Sequence, residues 1–267
     1  MEPSTGLNTI LDGALRKDGG FEYNVPSSWK QGRTIYGGLT SGLSLHTAMG
    51  SFEDLPPLRS AQIGFIGPVT GNPLFKAHLL RRGRNVTSIC VQGYVEDKLV
   101  SHIVFIFAAS RDSVITQDFP APSASQPEKT PQMFPPQVKS MVPGFIHNFE
   151  TRLLEGQLPM SGAKKPDMRV WARMVDPSSR KGVISLLTLG DLLPPAASPL
   201  MPQFAPISSV NWTVNSMRED ITTREGWWHV ETKLSSAEKG YSSQIMRYWN
   251  TEGDLVAEAI QFVTIFL

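Results

Sequence analysis

Apolar and polar positions change period along this chain, and they do so in the same order twice. From Leu58 the apolar residues fall on alternate positions, which predicts strands over 58–65, 74–80, 85–95 and 99–109. The second half shows the same alternation over 206–217, 227–235, 242–250 and 255–266. Both meanders end on one kind of hairpin: Tyr94-Val95-Glu96-Asp97-Lys98-Leu99-Val100, and Trp249-Asn250-Thr251-Glu252-Gly253-Asp254-Leu255-Val256. Upstream of each meander lies a helical run. The first starts at Gly37-Gly38 and reaches about Gly50; the second covers 183–193 and is stopped by Pro194-Pro195. Leading strands are expected over 21–25 in the first half, and over 145–154 and 168–175 in the second. Leu7, Ile10, Leu11, Ala14 and Leu15 predict a further helix over 5–16, with Ser4 or Thr5 as its N-cap.

Residues 112–143 break the pattern with seven prolines and little periodicity. Such a stretch reads as a linker or an extended crossing segment. The expected organisation is an N-terminal unit over 1–111, a Pro-rich linker over 112–143 and a C-terminal unit over 144–267. Each unit is a helix on an antiparallel sheet, an α+β plan used twice.

Composition narrows the function classes. With 40% hydrophobic and 18% charged residues, the chain has ample material for a core, and a net charge of +1 gives no electrostatic case for nucleic acid or an anionic membrane. The single cysteine, Cys90, excludes an internal disulfide and any multi-cysteine metal cage; its strand-like surroundings predict a buried, inert thiol. No stretch approaches the ~20 apolar residues of a membrane span, and nothing resembles a signal peptide, so a cytoplasmic chain is expected. Histidines at 46, 78, 102, 147 and 229 show no metal-ligand spacing. A serine-esterase elbow, a P-loop and a dinucleotide fingerprint are all missing from the sequence.

Candidate chemistry emerges where the two halves differ. Aligning their Leu-Val pairs sets Gln261 opposite Phe105, so one copy has an amide where the other has a phenyl ring. A buried Gln needs partners for up to four hydrogen bonds. Asp191 is the only acid between Gly182 and Met217, and it sits among leucines near a helix C-terminus, the unfavourable end of the dipole for an anion. A general-base role would account for it. Exposed N–H donors for an oxyanion are expected at Gly37 and Gly38, or at Lys181-Gly182. Arg82 and Arg84, with Arg81 beside them, form a basic cluster suited to phosphate. Trp227 and Trp228 are expected to put one ring on each sheet face, one of them in the core and the other lining a pocket or meeting a partner subunit.

Gly37-Gly38, Arg82-Gly83-Arg84, Leu189-Gly190-Asp191 and the run from Asp254 to Gln261, in that order, resemble the double-hotdog acyl-CoA thioesterases of the bacterial thioesterase II-like kind. The resemblance covers nearly the whole chain. It implies a double hotdog, two tandem units of a long helix wrapped by an antiparallel sheet. It also implies an acyl-CoA substrate with a fatty or aryl acyl group, no metal or cofactor, and an oligomer. The family's water-holding residues map onto Asp191, Ser209 and Gln261. Ser209 stands where a Thr is usual, Ser208 is one residue away on the opposite face, and Asn211 stands where some relatives carry an acid. Two other readings stay open: a binding protein of the same fold without catalysis, and a dehydratase-like enzyme, which would need a histidine working with an acid.

Overall fold

The computed structural model describes residues 5–267. Strands β1 (Leu15–Lys17) and β2 (Gly20–Glu22) follow helix α1 (Leu7–Asp12), and a two-residue ladder, β3 (Lys30–Gln31) with β4 (Thr34–Ile35), leads into α2 (Gly37–Ser51). The first meander is β5 (Leu58–Phe65), β6 (Leu74–Arg82), β7 (Val86–Val95) and β8 (Lys98–Ala108). After the crossing segment come β9 (Phe149–Glu155), β10 (Met168–Met174) and α3 (Gly182–Gly190). The second meander is β11 (Ile207–Ser216), β12 (Trp228–Glu238), β13 (Tyr241–Trp249) and β14 (Leu255–Ile265).

Twelve of these strands form one antiparallel sheet in the order β1-β2-β6-β7-β8-β5-β11-β14-β13-β12-β10-β9. That order is the same from either end: each half places its meander strands identically, and β5 pairs with β11 at the centre, from Asn211 with Gly64 to Asn215 with Ser60. The expected double hotdog is therefore present, its two sheets fused edge to edge. No helix among the described residues is long and apolar enough to cross a membrane.

Helices α2 and α3 pack against each other in antiparallel fashion. Gly37 lies by Asp191, Gly38 by Thr188, and Gly42 by both Thr188 and Ile184. A Cβ on Gly38 would stand 2.2 Å from the Thr188 carbonyl oxygen, so only glycine allows this approach. α2 is buried on almost every side despite its serines and threonines. The hydroxyls of Thr40, Ser41, Ser44 and Thr47 donate to carbonyls one turn back, at Tyr36, Gly37, Thr40 and Leu43, so none of these polar groups is left bare in the core. Leu39, Leu43, Ile89, Phe105 and Phe107 fill the space between α2 and its sheet.

Several expectations need correction. The first helix is six residues long, capped by Gly6 without a side-chain bond, and Leu15 starts a strand instead of a further turn. Thr5 is not its cap, and Ser4 lies outside the described residues. The leading strand stops at Glu22, and Gly144–Asn148 form a 3-10 turn before β9. α3 ends at Gly190, six residues shorter than the fifteen of α2, because the chain turns toward Pro194-Pro195. Neither Trp227 nor Trp228 is exposed; both are 2% accessible, and the Arg173 guanidinium stacks on Trp227 at 4.3 Å.

The crossing segment lies on the outer face of the second sheet. Trp249 donates its indole N–H to the Phe119 carbonyl and Trp171 to that of Ser125. Met133 N–H donates to Thr151 and Leu153 N–H to Pro131, which ties the segment's end to β9.

Candidate active site

Asp191 is the C-cap residue of α3, just past its last turn. It stands at the wrong end of its own helix for an anion and at the right end of the other. The N–H of Gly38, in the first turn of α2, donates to its carboxylate. A Cβ on Gly37 would stand 2.5 Å from Asp191 Oδ2, so the carboxylate lies directly on the Gly-Gly backbone. Part of the residue's surface is accessible, yet protein surrounds it on most sides. Burial pushes its carboxyl up to about 7, against the opposing pull of the bonds from Gln261 and Gly38.

Gln261 joins the site together. It is 2% accessible, and its Nε2 donates to Asp191 Oδ1 at 2.6 Å and to Ser209 Oγ at 3.1 Å. The three residues that the resemblance implied are therefore in contact. Ser208 is exposed. A bulge decides between the two serines: Ser209 pairs with Val263 and Asn211 with Phe262, so Val210 is an extra residue in β11. Ser209 and Trp212, three apart, thus share the face of Gln261 and Val263. Uninterrupted alternation back from Trp212 would have put Ser208 there.

Sequence reasoning missed Gln244. It is fully buried on β13, directly across from Gln261 in the ladder. Its Nε2 donates to Gln261 Oε1 at 2.7 Å, and its own Oε1 accepts from the Ala196 N–H. The direction of the whole series is fixed from the Ala196 backbone outward, so Gln261 must point its NH2 at Asp191 and Ser209. The signal was present as a second buried-strand amide, matched in the first half by Ile89. Gln244→Leu leaves the Ala196 N–H and Gln261 Oε1 unpaired. We expect it to cost about 2 kcal/mol in urea unfolding, and an unchanged midpoint would show that the series holds nothing in place.

Two tyrosines close off the end of α3. Tyr248 donates to the Gly190 carbonyl at 2.7 Å and Tyr36 to that of Thr188 at 3.0 Å, satisfying acceptors that a helix end leaves free. Burial holds both phenols well above their usual range, with the Asp191 charge adding to it. Tyr36 also stacks on Phe145 at 4.2 Å, linking the start of α2 to the second half.

The other sequence candidates lie elsewhere. Lys181-Gly182 begin α3, so the nine-residue helix separates them from Asp191. Arg82 and Arg84 are exposed around the β6–β7 turn, and Arg82 donates to the Glu53 carbonyl just beyond the C-terminus of α2. That is the far end of a helix about 22 Å long at 1.5 Å per residue. His46 is held by Tyr23, with Nδ1 to hydroxyl 2.8 Å. Cys90 is 5% accessible, and burial raises its thiol.

Comparison with known proteins agrees with this architecture. The family model for the acyl-CoA thioesterase N-terminal domain matches residues 25–110, and that for the acyl-CoA thioesterase C-terminal domain matches 120–265. The chain belongs to this acyl-CoA thioesterase family. Among solved structures, a conserved protein of unknown function with a hot dog fold from Alicyclobacillus acidocaldarius superposes with a TM-score of 0.88 at 19% identity, covering 99% of each chain. The tesB protein of Mycobacterium avium subs paratuberculosis gives 0.76 at 17% identity over 98% of both chains. Acyl-CoA thioesterase II TesB2 of Mycobacterium marinum gives 0.74 at 17% identity over 97% of this chain and 98% of that one. At these identities the likeness is one of fold. A search of curated protein sequences found no match.

Proposed function

We propose that this chain hydrolyses an acyl-CoA thioester to free acid and CoA, using a water held by Asp191, Ser209 and Gln261. The observation that carries the reading is the Gln261 amide bonded to both the carboxylate and the hydroxyl, beside the N-terminus of α2. Asp191 takes a proton from the water as its oxygen bonds to the thioester carbon. The carbonyl electron pair moves to oxygen, where N–H groups of α2's first turn, lacking partners within the helix, stabilise the charge. Thr40 N–H makes the first helical bond of α2, to Tyr36, which leaves the amides before it for this task or for Asp191. The C–S bond then breaks, and the proton on Asp191 passes to the CoA sulfur.

A carboxyl at about 7 is matched to general-base work near neutral pH. Arg82 and Arg84 fit this scheme as contacts for the CoA phosphates, remote from the reacting carbon. No histidine is bonded to Asp191 among the described residues, so the acid–histidine partnership of a dehydratase finds no support in these contacts.

The test is thiol release from butyryl-, decanoyl- and benzoyl-CoA, followed with a chromogenic reagent. No release above background on any substrate would overturn the reading in favour of a binding protein. Given turnover, the base must be ionised, so kcat/KM should rise tenfold per pH unit below an apparent pKa of about 7 and level off above it. A profile flat from pH 5 to 9 would remove Asp191 from the base role.

A further inference from the structure

The start of α2 opens to solvent at Gly37. Gly38, Leu39 and Thr40 are buried, whereas Gly37 and Asp191 each keep some accessible surface. One side chain of the first half stands at that opening. Phe65 Cε1 and Cζ come within 3.2 Å of the point where a Gly37 Cβ would sit, and Asp191 Oδ2 lies 2.5 Å from the same point. The ring edge and the carboxylate therefore flank one backbone unit, the first of α2.

The sheet fixes Phe65 in this place. It is the last residue of β5 and follows Ala61 and Ile63 on the inward face. Ile63 pairs with Trp212 across the seam, so Phe65 on β5 and Ser209 on β11 are the next inward residues of their strands. On its other side Phe65 pairs with Ser101, a fully buried residue with a small side chain. Just beyond it, the N–H groups of Ile66 and Gly67 both donate to the Val100 carbonyl. The Val69 carbonyl then accepts from Ile35, two residues before Gly37. The strand end that carries the ring is thus tied to the segment that opens α2.

No charged group among the described residues accounts for the raised carboxyl of Asp191. The titratable groups facing it are Tyr36, before α2, and Tyr248, on β13, whose phenols burial holds neutral. β14 and β11 bring the uncharged Gln261 and Ser209, and α2 brings the Gly38 N–H. Removal from water is what raises the carboxyl, so the group at the opening matters most.

We infer that Phe65 is a positioning residue for the hydrolysis, its ring holding bulk water off the Asp191 carboxylate while leaving Gly37 open to an arriving thioester. The inference rests on the hydrolytic reading above. Phe65 acts through the base, not on the substrate. An apolar ring edge gives the anion no hydrogen bond, so the carboxylate stays basic enough to take a proton from the one water held at the site. Opened to solvent, the same carboxylate is better hydrated and a weaker base.

The experiment measures kcat/KM from pH 4 to 9 on the best of butyryl-, decanoyl- and benzoyl-CoA, with wild type, Phe65→Ala and Phe65→Leu, each checked by thermal melt. Wild type should show a midpoint near 7. Phe65→Ala should move it to about 6 or below, which raises the ratio of kcat/KM at pH 5 to that at pH 8 by about tenfold while the plateau falls. Phe65→Leu keeps an apolar cover and should keep the wild-type midpoint. A ring that only packs would lower the melting temperature and the plateau but leave the midpoint in place, and that result with Phe65→Ala overturns the inference. So does a wild-type profile that falls off only between pH 5 and 4, near the ordinary carboxylate range, a result that needs no variant to fold. If wild type releases CoA from none of the three, the hydrolytic reading has failed and this role falls with it, an outcome distinct from the other two.

Discussion

Asp191→Asn should lose at least about 100-fold in kcat, the usual scale for a lost general base, and should at the same time be more stable than the parent at pH 8. Both effects come from one environment. Burial raises the carboxyl from 3.8 to about 7, so the folded state holds that proton more tightly than the unfolded chain does. Above pH 7 the native protein carries a charge it disfavours. As pH falls from 7 toward 4 the native state takes up the proton first, and stability rises. Below about 4 both states are protonated and the difference vanishes.

A shift of this size is worth at most about 4 kcal/mol. Asparagine escapes the charge penalty but must turn its NH2 toward a donor, Gly38 N–H or Gln261 Nε2, which costs about 1–3 kcal/mol. The net gain should be one to a few kcal/mol, by these same scales, in urea unfolding at pH 8. It should shrink on titration to pH 5. A variant less stable than wild type at pH 8, or one that keeps full turnover, would contradict this account.

Gly38→Ala should act in the opposite sense on stability. The added methyl would stand 2.2 Å from the Thr188 carbonyl oxygen and 2.5 Å from Tyr36 Cζ and hydroxyl. The carbonyl belongs to the backbone of α3 and accepts from Tyr36, so it cannot swing aside. The helices must separate, at a cost of about 3 kcal/mol, the upper range for overpacking. The same movement draws the Gly38 N–H away from Asp191, and turnover should fall too. Gly37→Ala is the informative contrast. There the methyl would meet the Asp191 carboxylate at 2.5 Å and the Phe65 ring edge at 3.2 Å, which are side chains. It should impair hydrolysis more than folding. Equal denaturation midpoints for Gly38→Ala and wild type would show that α2 and α3 tolerate a wider spacing.

Much of this architecture was legible from period alone. Strands β5, β7, β8 and β14 begin and end within a residue of where alternation placed them, because each has one face on the core and one turned away. The pairing of halves was legible from their matched hairpins. Ends of elements were harder to read. Leu15 looks like the next helical position after Leu11, but it is 65% exposed and belongs to a hairpin. Leu192 and Leu193 continue the leucine pattern of α3 and are buried outside the helix. An apolar period reports burial, and burial continues past a helix end.

Asp191 and Gln261 stood out because each breaks the polarity of its surroundings. Gln244 was overlooked because β13 alternates Gln, Met and Tyr inward, and an inward amide shows itself only when its partner across the ladder is known. The bulge at Val210 lies beyond any count of alternation, since it is visible only in the pairing with β14. The Gly38 N–H on the carboxylate depends on a contact between residues more than 150 positions apart.

That contact has a bearing on why the two halves share one chain. In a symmetric pair of separate subunits, every helix would have to present a glycine start to its partner and an acid at its own end. One residue choice would be read at two places. Here α2 opens on the pair Gly37-Gly38 and contains no acid, while α3 opens on Gly182-Val183 and is followed directly by the acid Asp191. Covalent joining frees each position from serving twice. One half can specialise in donating the amide and the other in holding the carboxylate, and neither half by itself owns a complete site.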